Sequence, residues 1–123
     1  MEYYYNEDKT KVAVLVSYGF GAGWSTWNDK CLAYDKRVVE FWLDHNTVEF
    51  CHSVDAHSHS HPTAAGEIVN NFLESCGYQG TYLGGYGDIE LEWVPCGTPF
   101  RITEYDGNER IETLDDAGFM VIN

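Results

Sequence analysis

Five apolar residues in a row, Val12-Ala13-Val14-Leu15-Val16, constrain this fold more than any other segment. A continuous run rich in β-branched side chains reads as a buried central strand, so other elements must cover it. The run leads directly into Ser17-Tyr18-Gly19-Phe20-Gly21-Ala22-Gly23. Alternating glycines there rule out regular structure and permit unusual backbone angles.

The rest of the chain supplies the cover. Cys31, Tyr34, Val38 and Trp42, with Leu32, Val39 and Leu43 beside them, recur at helical spacing. They predict a helix that starts near Ser25 to Asn28, where cap residues cluster, and ends by His45 or Asn46. Thr47 to Cys51 reads as a short strand, and Ser53 to His61 as a polar loop closed by Pro62. Thr63 should cap a second helix with the stripe Ala65, Ile68, Val69, Phe72, Leu73 and Cys76, stopped by Gly77. After a Gly/Tyr-rich loop, Asp88–Val94 and Phe100–Tyr105 alternate polar and apolar, as half-buried strands do. Asp106-Gly107 is a hairpin turn signal that returns the chain along Arg110–Glu112, and Phe119–Ile122 predicts a last strand. Helices early and antiparallel strands late predict an α+β fold, an antiparallel sheet with two helices in the N-terminal half. The tyrosine-rich residues 1–10 read as an arm or frayed strand. No internal repeat or linker divides the chain, so residues 1–123 are expected to form a single ligand-binding domain.

Charge and composition narrow the function. Seven basic against twenty acidic residues leave a net charge of −13. That argues against long nucleic acid, whose binders neutralise phosphates with Lys and Arg, and against an anionic membrane surface. A small anion remains open to a local positive pocket, which singles out Arg37, Arg101 and Arg110. Nine Tyr, six Phe and four Trp exceed what one small core needs, so some aromatics are expected at a pocket or an interface. The N-terminus lacks the pattern of a secretory signal, and no apolar stretch matches a membrane span, so an intracellular location is expected. Cys31, Cys51, Cys76 and Cys96 show no CxxC spacing and are expected as free thiols.

Four constellations can carry chemistry. A strand, glycine loop and helix over residues 12–43 can present backbone N–H groups to a phosphate. The spacing Gly19-x-Gly21-x-Gly23 is not GxGxxG and no Walker lysine follows, so the loop reads equally as a tight turn. His57, His59 and His61, with Asp55, are spaced to ligate a metal and would support a metal-dependent hydrolase, although the serines and proline around them equally fit a solvated loop tip. No nucleophile signature accompanies the Cys, Ser and His residues, and the acidic pairs Asp115–Asp116 and Glu90–Glu92 read as solvent-facing. No catalytic residue and no cofactor is therefore expected. Lastly, Arg101 sits among apolar residues in a strand, where its fork can hold a phosphate or pair with a nearby carboxylate.

Two segments carry a family resemblance. Val12-Ala13-Val14-Leu15-Val16-Ser17-x-Gly19-x-Gly21-Ala22-Gly23-Trp24-Ser25-Thr26-Trp27-Asn28, continued by Leu32 to Glu40, resembles the N-terminal signature of the first type of phage Thoeris anti-defence protein. Gly97-Thr98-x-Phe100-Arg101-Ile102-x-Glu104-Tyr105-Asp106-Gly107-x-Glu109 is similar to its C-terminal hairpin. The resemblance implies a homo-oligomeric sponge in the host bacterial cytoplasm. Such a protein binds the cyclic ADP-ribose isomer that signals in Thoeris immunity, without cleaving it, and some members also capture cyclic oligonucleotides. On this resemblance Phe20, Trp24, Trp27, Phe100 and Tyr105 are candidate stacking residues. Gly21, Gly23, Arg101, Arg37 and Arg110 are candidate phosphate contacts. Asp106 is a candidate for ribose hydroxyls, although a turn role suits it as well. A module that binds another protein through exposed aromatics is the remaining alternative.

Overall fold

A computed structural model describes residues 1–57 and 61–113. The chain folds as an α+β protein. It contains the strands β1 (Lys11–Ser17), β2 (Ile89–Pro95), β3 (Phe100–Tyr105) and β4 (Asn108–Thr113), and the helices α1 (Lys36–Asp44), α2 (Val48–His57) and α3 (Ala64–Ser75). The expected strand over Phe119–Ile122, and Asp115–Asp116, lie outside the described residues. No described helix is long and apolar enough to cross a membrane.

β1 pairs antiparallel with β2, from Lys11 opposite Pro95 to Ser17 opposite Ile89. β3 and β4 form a separate hairpin, closed by Asp106 and Gly107 at φ 49° and 85°. Positive φ at both central residues matches the strand twist, as the Asp-Gly signal requires. β1 is buried on both faces. Ala13 and Leu15 join the core under the helices, with Trp24, Leu32, Val39, Val54, Val69 and Leu73. Val14 and Val16 turn the other way, against Phe100, Ile102 and Ile111 of the hairpin. The apolar run is thus the middle layer between helices and hairpin, which is why it cannot alternate.

Two local expectations change. The first helix does not begin at Ser25. Two short 3-10 turns, Ser25–Trp27 and Lys30–Ala33, precede α1. Asp29 accepts the Cys31 N–H at 2.9 Å and Asp35 accepts the Arg37 N–H at 3.0 Å, so each carboxylate restarts the helix. Thr47–Cys51, expected as a strand, and Ser53–His57, expected as loop, instead lead into and form α2. Thr47 Oγ1 accepts the Phe50 N–H, and Cys51 and Val54 are buried one helical turn apart. Packing of that stripe overrides the β preference of Val48 and Phe50. α3 follows its signals: Thr63 caps it through the Gly66 N–H, and Gly77 and Tyr78 donate to Glu74 and Leu73 in a Schellman closure.

Candidate functional site

The glycine loop does hold an anion, and the anion belongs to the protein. Glu109, on β4, is fully buried. Its Oε1 accepts the Ser17 N–H at 2.9 Å. Its Oε2 accepts the N–H groups of Trp24 at 2.9 Å and Thr26 at 3.0 Å, and the Thr26 hydroxyl. The cradle expected for a phosphate is filled by a carboxylate from the hairpin. Gly21 donates its N–H to the Asp106 carbonyl, and a Cβ on Gly23 would lie 2.6 Å from Thr26 Oγ1. Both glycines therefore serve loop closure. Trp24 is completely buried, edge-to-face with Tyr86 at 5.5 Å, and presents no face on which a ligand can stack.

Two further candidates are engaged structurally. Arg37 donates from Nη2 to Asp35 Oδ2 at 2.8 Å and from Nε to Oδ1 at 3.2 Å, and Tyr78 donates to the same carboxylate at 2.8 Å. Burial alone would raise the Asp35 pKa, but hydrogen bonds from Arg37 and Tyr78 outweigh it and hold the carboxyl below its ordinary value. Asp106 occupies the hairpin turn, the role its Asp-Gly context favours.

The remaining candidates, Trp27 apart, divide between two hollows. Phe100 and Arg101 line a cleft of about 1110 Å³ between β3, the β2–β3 turn, the segment around 25–34 and the N-terminal arm. Tyr3, Tyr5, Tyr34, Lys30 and Thr26 share its walls. The Phe100 ring meets Tyr34 edge-to-face at 6.3 Å, and Tyr34 lies 5.8 Å from Tyr3. Burial pushes the Tyr34 phenol up to about 12. Arg101 is largely exposed and donates to Glu112 Oε2 from Nη2 at 3.0 Å and from Nε at 3.3 Å. These bonds hold the Glu112 carboxyl below its ordinary value. Arg101 thus has the carboxylate partner expected as one of its two roles, and it also lies on the wall of the cleft.

Phe20, Tyr105 and Arg110 line a second hollow, of about 310 Å³, at the hairpin tip. The alternation of β3 separates them from Phe100. Trp27 is half-exposed, stacked on Tyr82 at 6.0 Å, with its Nε1 donating to Glu104 at 3.4 Å.

The histidine stretch does not assemble a site among the described residues. His57 Nδ1 accepts the Thr63 N–H at 2.8 Å, and Asp55 accepts the N–H groups of Gly85 at 3.3 Å and Gly87 at 3.1 Å. No group of three or more described His, Cys, Asp or Glu residues converges. His59 lies outside the described residues. All four cysteines are free thiols.

Sequence reasoning missed two things. The role of Glu109 has no local signal, because its partners lie more than 80 residues away. The part played by Tyr3, Tyr5, Tyr34 and Lys30 in one cleft likewise follows only from how the chain returns on itself. No family model, curated protein or solved structure matches this chain.

Proposed function

We propose that this protein binds a small nucleotide-class anion, a cyclic ADP-ribose isomer, in the large cleft and sequesters it without cleavage. In that role it would silence Thoeris signalling in the host bacterial cytoplasm, as the family resemblance implies. The observation that carries the reading is the placement of Phe100 and Arg101 together on a cleft of ligand size. The two are consecutive residues of β3 and turn to opposite faces of the strand; the Phe100 ring suits a base, and the exposed Arg101 guanidinium suits a pyrophosphate. Binding is favoured over turnover because the described lining includes one carboxylate, Glu104, and no histidine. Hydrolysis of a glycosidic or phosphoanhydride bond ordinarily needs a positioned acid–base pair or a metal.

The deciding experiment mixes the protein with a panel of cyclic ADP-ribose isomers and cyclic oligonucleotides, removes excess, then releases bound ligand by heat. Intact cyclic ADP-ribose isomer in the supernatant is the expected result. Degraded ligand, or none, overturns the reading. Light scattering on the same sample tests the homo-oligomer.

A second reading rests on the hairpin tip, where Phe20 and Tyr105 are 71% and 79% exposed. Exposed rings of that size suit a protein-binding surface. It predicts a co-purifying protein partner and no small-molecule binding.

A further inference from the structure

The tyrosine arm, which the family resemblance does not cover, is the feature left without a role. Its run Tyr3-Tyr4-Tyr5 divides between two faces. Tyr5 forms an antiparallel bridge to Val12, and the Ala13 N–H donates to the Tyr4 carbonyl at 2.8 Å. The arm therefore lies along the edge of β1 that β2 does not use. In an extended segment neighbouring side chains point to opposite faces. Tyr4 accordingly packs with the core beneath the helices, its ring 6.2 Å from Trp93. Tyr3 and Tyr5 face the other way and line the large cleft.

Packing accounts for Tyr4 and leaves its neighbours unexplained. Tyr3 is 43% exposed and Tyr5 45% exposed, so neither ring is needed to fill a core. Both are nevertheless held in place. The Glu2 carbonyl accepts the Lys36 N–H at 2.9 Å, so Tyr3 is fixed between two backbone anchors. Its ring continues a row of aromatics, Tyr3, Tyr34 and Phe100, along the cleft. Rings positioned by backbone hydrogen bonds but left open to a cleft are a stacking platform, since every nucleobase offers a π-face.

We propose that Tyr3 and Tyr5 are ligand-contacting residues. They form an aromatic wall that takes the planar base of a nucleotide in the cleft that Arg101 also lines. This rests on the reading of the large cleft as the nucleotide site. The arm is then a strap that completes that site.

The test titrates wild type, Tyr3→Ala, Tyr3→Phe and Arg101→Ala with the cyclic ADP-ribose isomer that stabilises wild type most. Tyr3→Ala should weaken binding about ten-fold, the scale of one base–aromatic stack, while Tyr3→Phe keeps the ring and stays within about two-fold of wild type. Hydrogen exchange of the Ala13 N–H reports whether the arm stays paired, and its protection should be unchanged in Tyr3→Ala. Binding that depends on Arg101 but ignores Tyr3→Ala overturns the wall and leaves the cleft standing. Tyr3→Phe as weak as Tyr3→Ala also overturns it. Joint loss of affinity and Ala13 protection does so too, because arm pairing would then be the cause. Wild type that binds no isomer overturns the cleft reading and the wall together.

Discussion

The Glu109 carboxylate accepts the backbone N–H of Trp24 at 2.9 Å, and both residues are completely buried. A buried charge is tolerable only when fixed donors replace its water. Here Ser17, Trp24 and Thr26 supply three N–H groups and a hydroxyl. One side chain of the hairpin thereby shapes the glycine loop and closes the layer over Val14 and Val16.

Replacing Glu109 by Gln keeps the size but turns an NH₂ group toward an N–H donor. The expected loss of stability is about 2–3 kcal/mol, the scale of charge-assisted hydrogen bonds to a buried acceptor. Urea unfolding measures it. A midpoint equal to wild type would show that the carboxylate does not hold the loop.

The Asp35 clamp predicts a pH dependence. Its folded pKa lies below its unfolded value, because the bonds from Arg37 and Tyr78 favour the charged form over the opposing effect of burial. The unfolded chain therefore takes up the proton first as pH falls. The stabilisation is complete above the unfolded value, near pH 4, and is lost as pH drops through the lowered folded value. Asp35→Asn should be less stable at pH 7, and its stability should fall less steeply than that of wild type below about pH 4. Parallel acid unfolding curves for the two proteins would contradict this.

Gly107 and Gly97 separate strain from collision. Both have positive φ, 85° and 80°, so Ala is unfavourable at either. A Cβ at Gly107 would also lie 2.2 Å from the Ala22 backbone nitrogen, whereas at Gly97 nothing lies within 4 Å. Gly97→Ala should cost about 1 kcal/mol and Gly107→Ala clearly more, because backbone cannot yield as a side-chain tip can. Equal melting shifts for the two would mean that the hairpin tip does not press on the loop.

Arg101 and Trp24 should fail in opposite ways. Arg101→Ala removes an exposed ion pair with Glu112, worth little to folding, but should weaken ligand binding about ten- to a hundred-fold. Trp24→Ala empties a fully buried site and should cost about 3–5 kcal/mol of stability. Calorimetry beside thermal melting distinguishes them. An Arg101→Ala protein with wild-type affinity removes that residue from the site.

What was legible depended on how local the cause was. Thr63 with Gly77 around α3, and Asp106-Gly107 in the hairpin, act within a few residues and were readable. Thr47–Cys51 was misread, because its β-prone side chains answer to a helical stripe that only packing reveals. Candidate residues grouped by motif were separated by the pleat: Phe100 faces the large cleft, while Tyr105 and Arg110 line the hollow on the other side.

The sequence alone determined the buried strand at 12–16, the α+β class and the turn positions, since apolar period and backbone preference are properties of short segments. Only the tertiary structure decided that Glu109 fills the glycine loop, that Tyr78 joins Arg37 on Asp35, and that Tyr3 shares a cleft with Phe100. Those outcomes depend on which distant groups compete best for the same donors and the same space, and chain closure, not spacing, sets that competition.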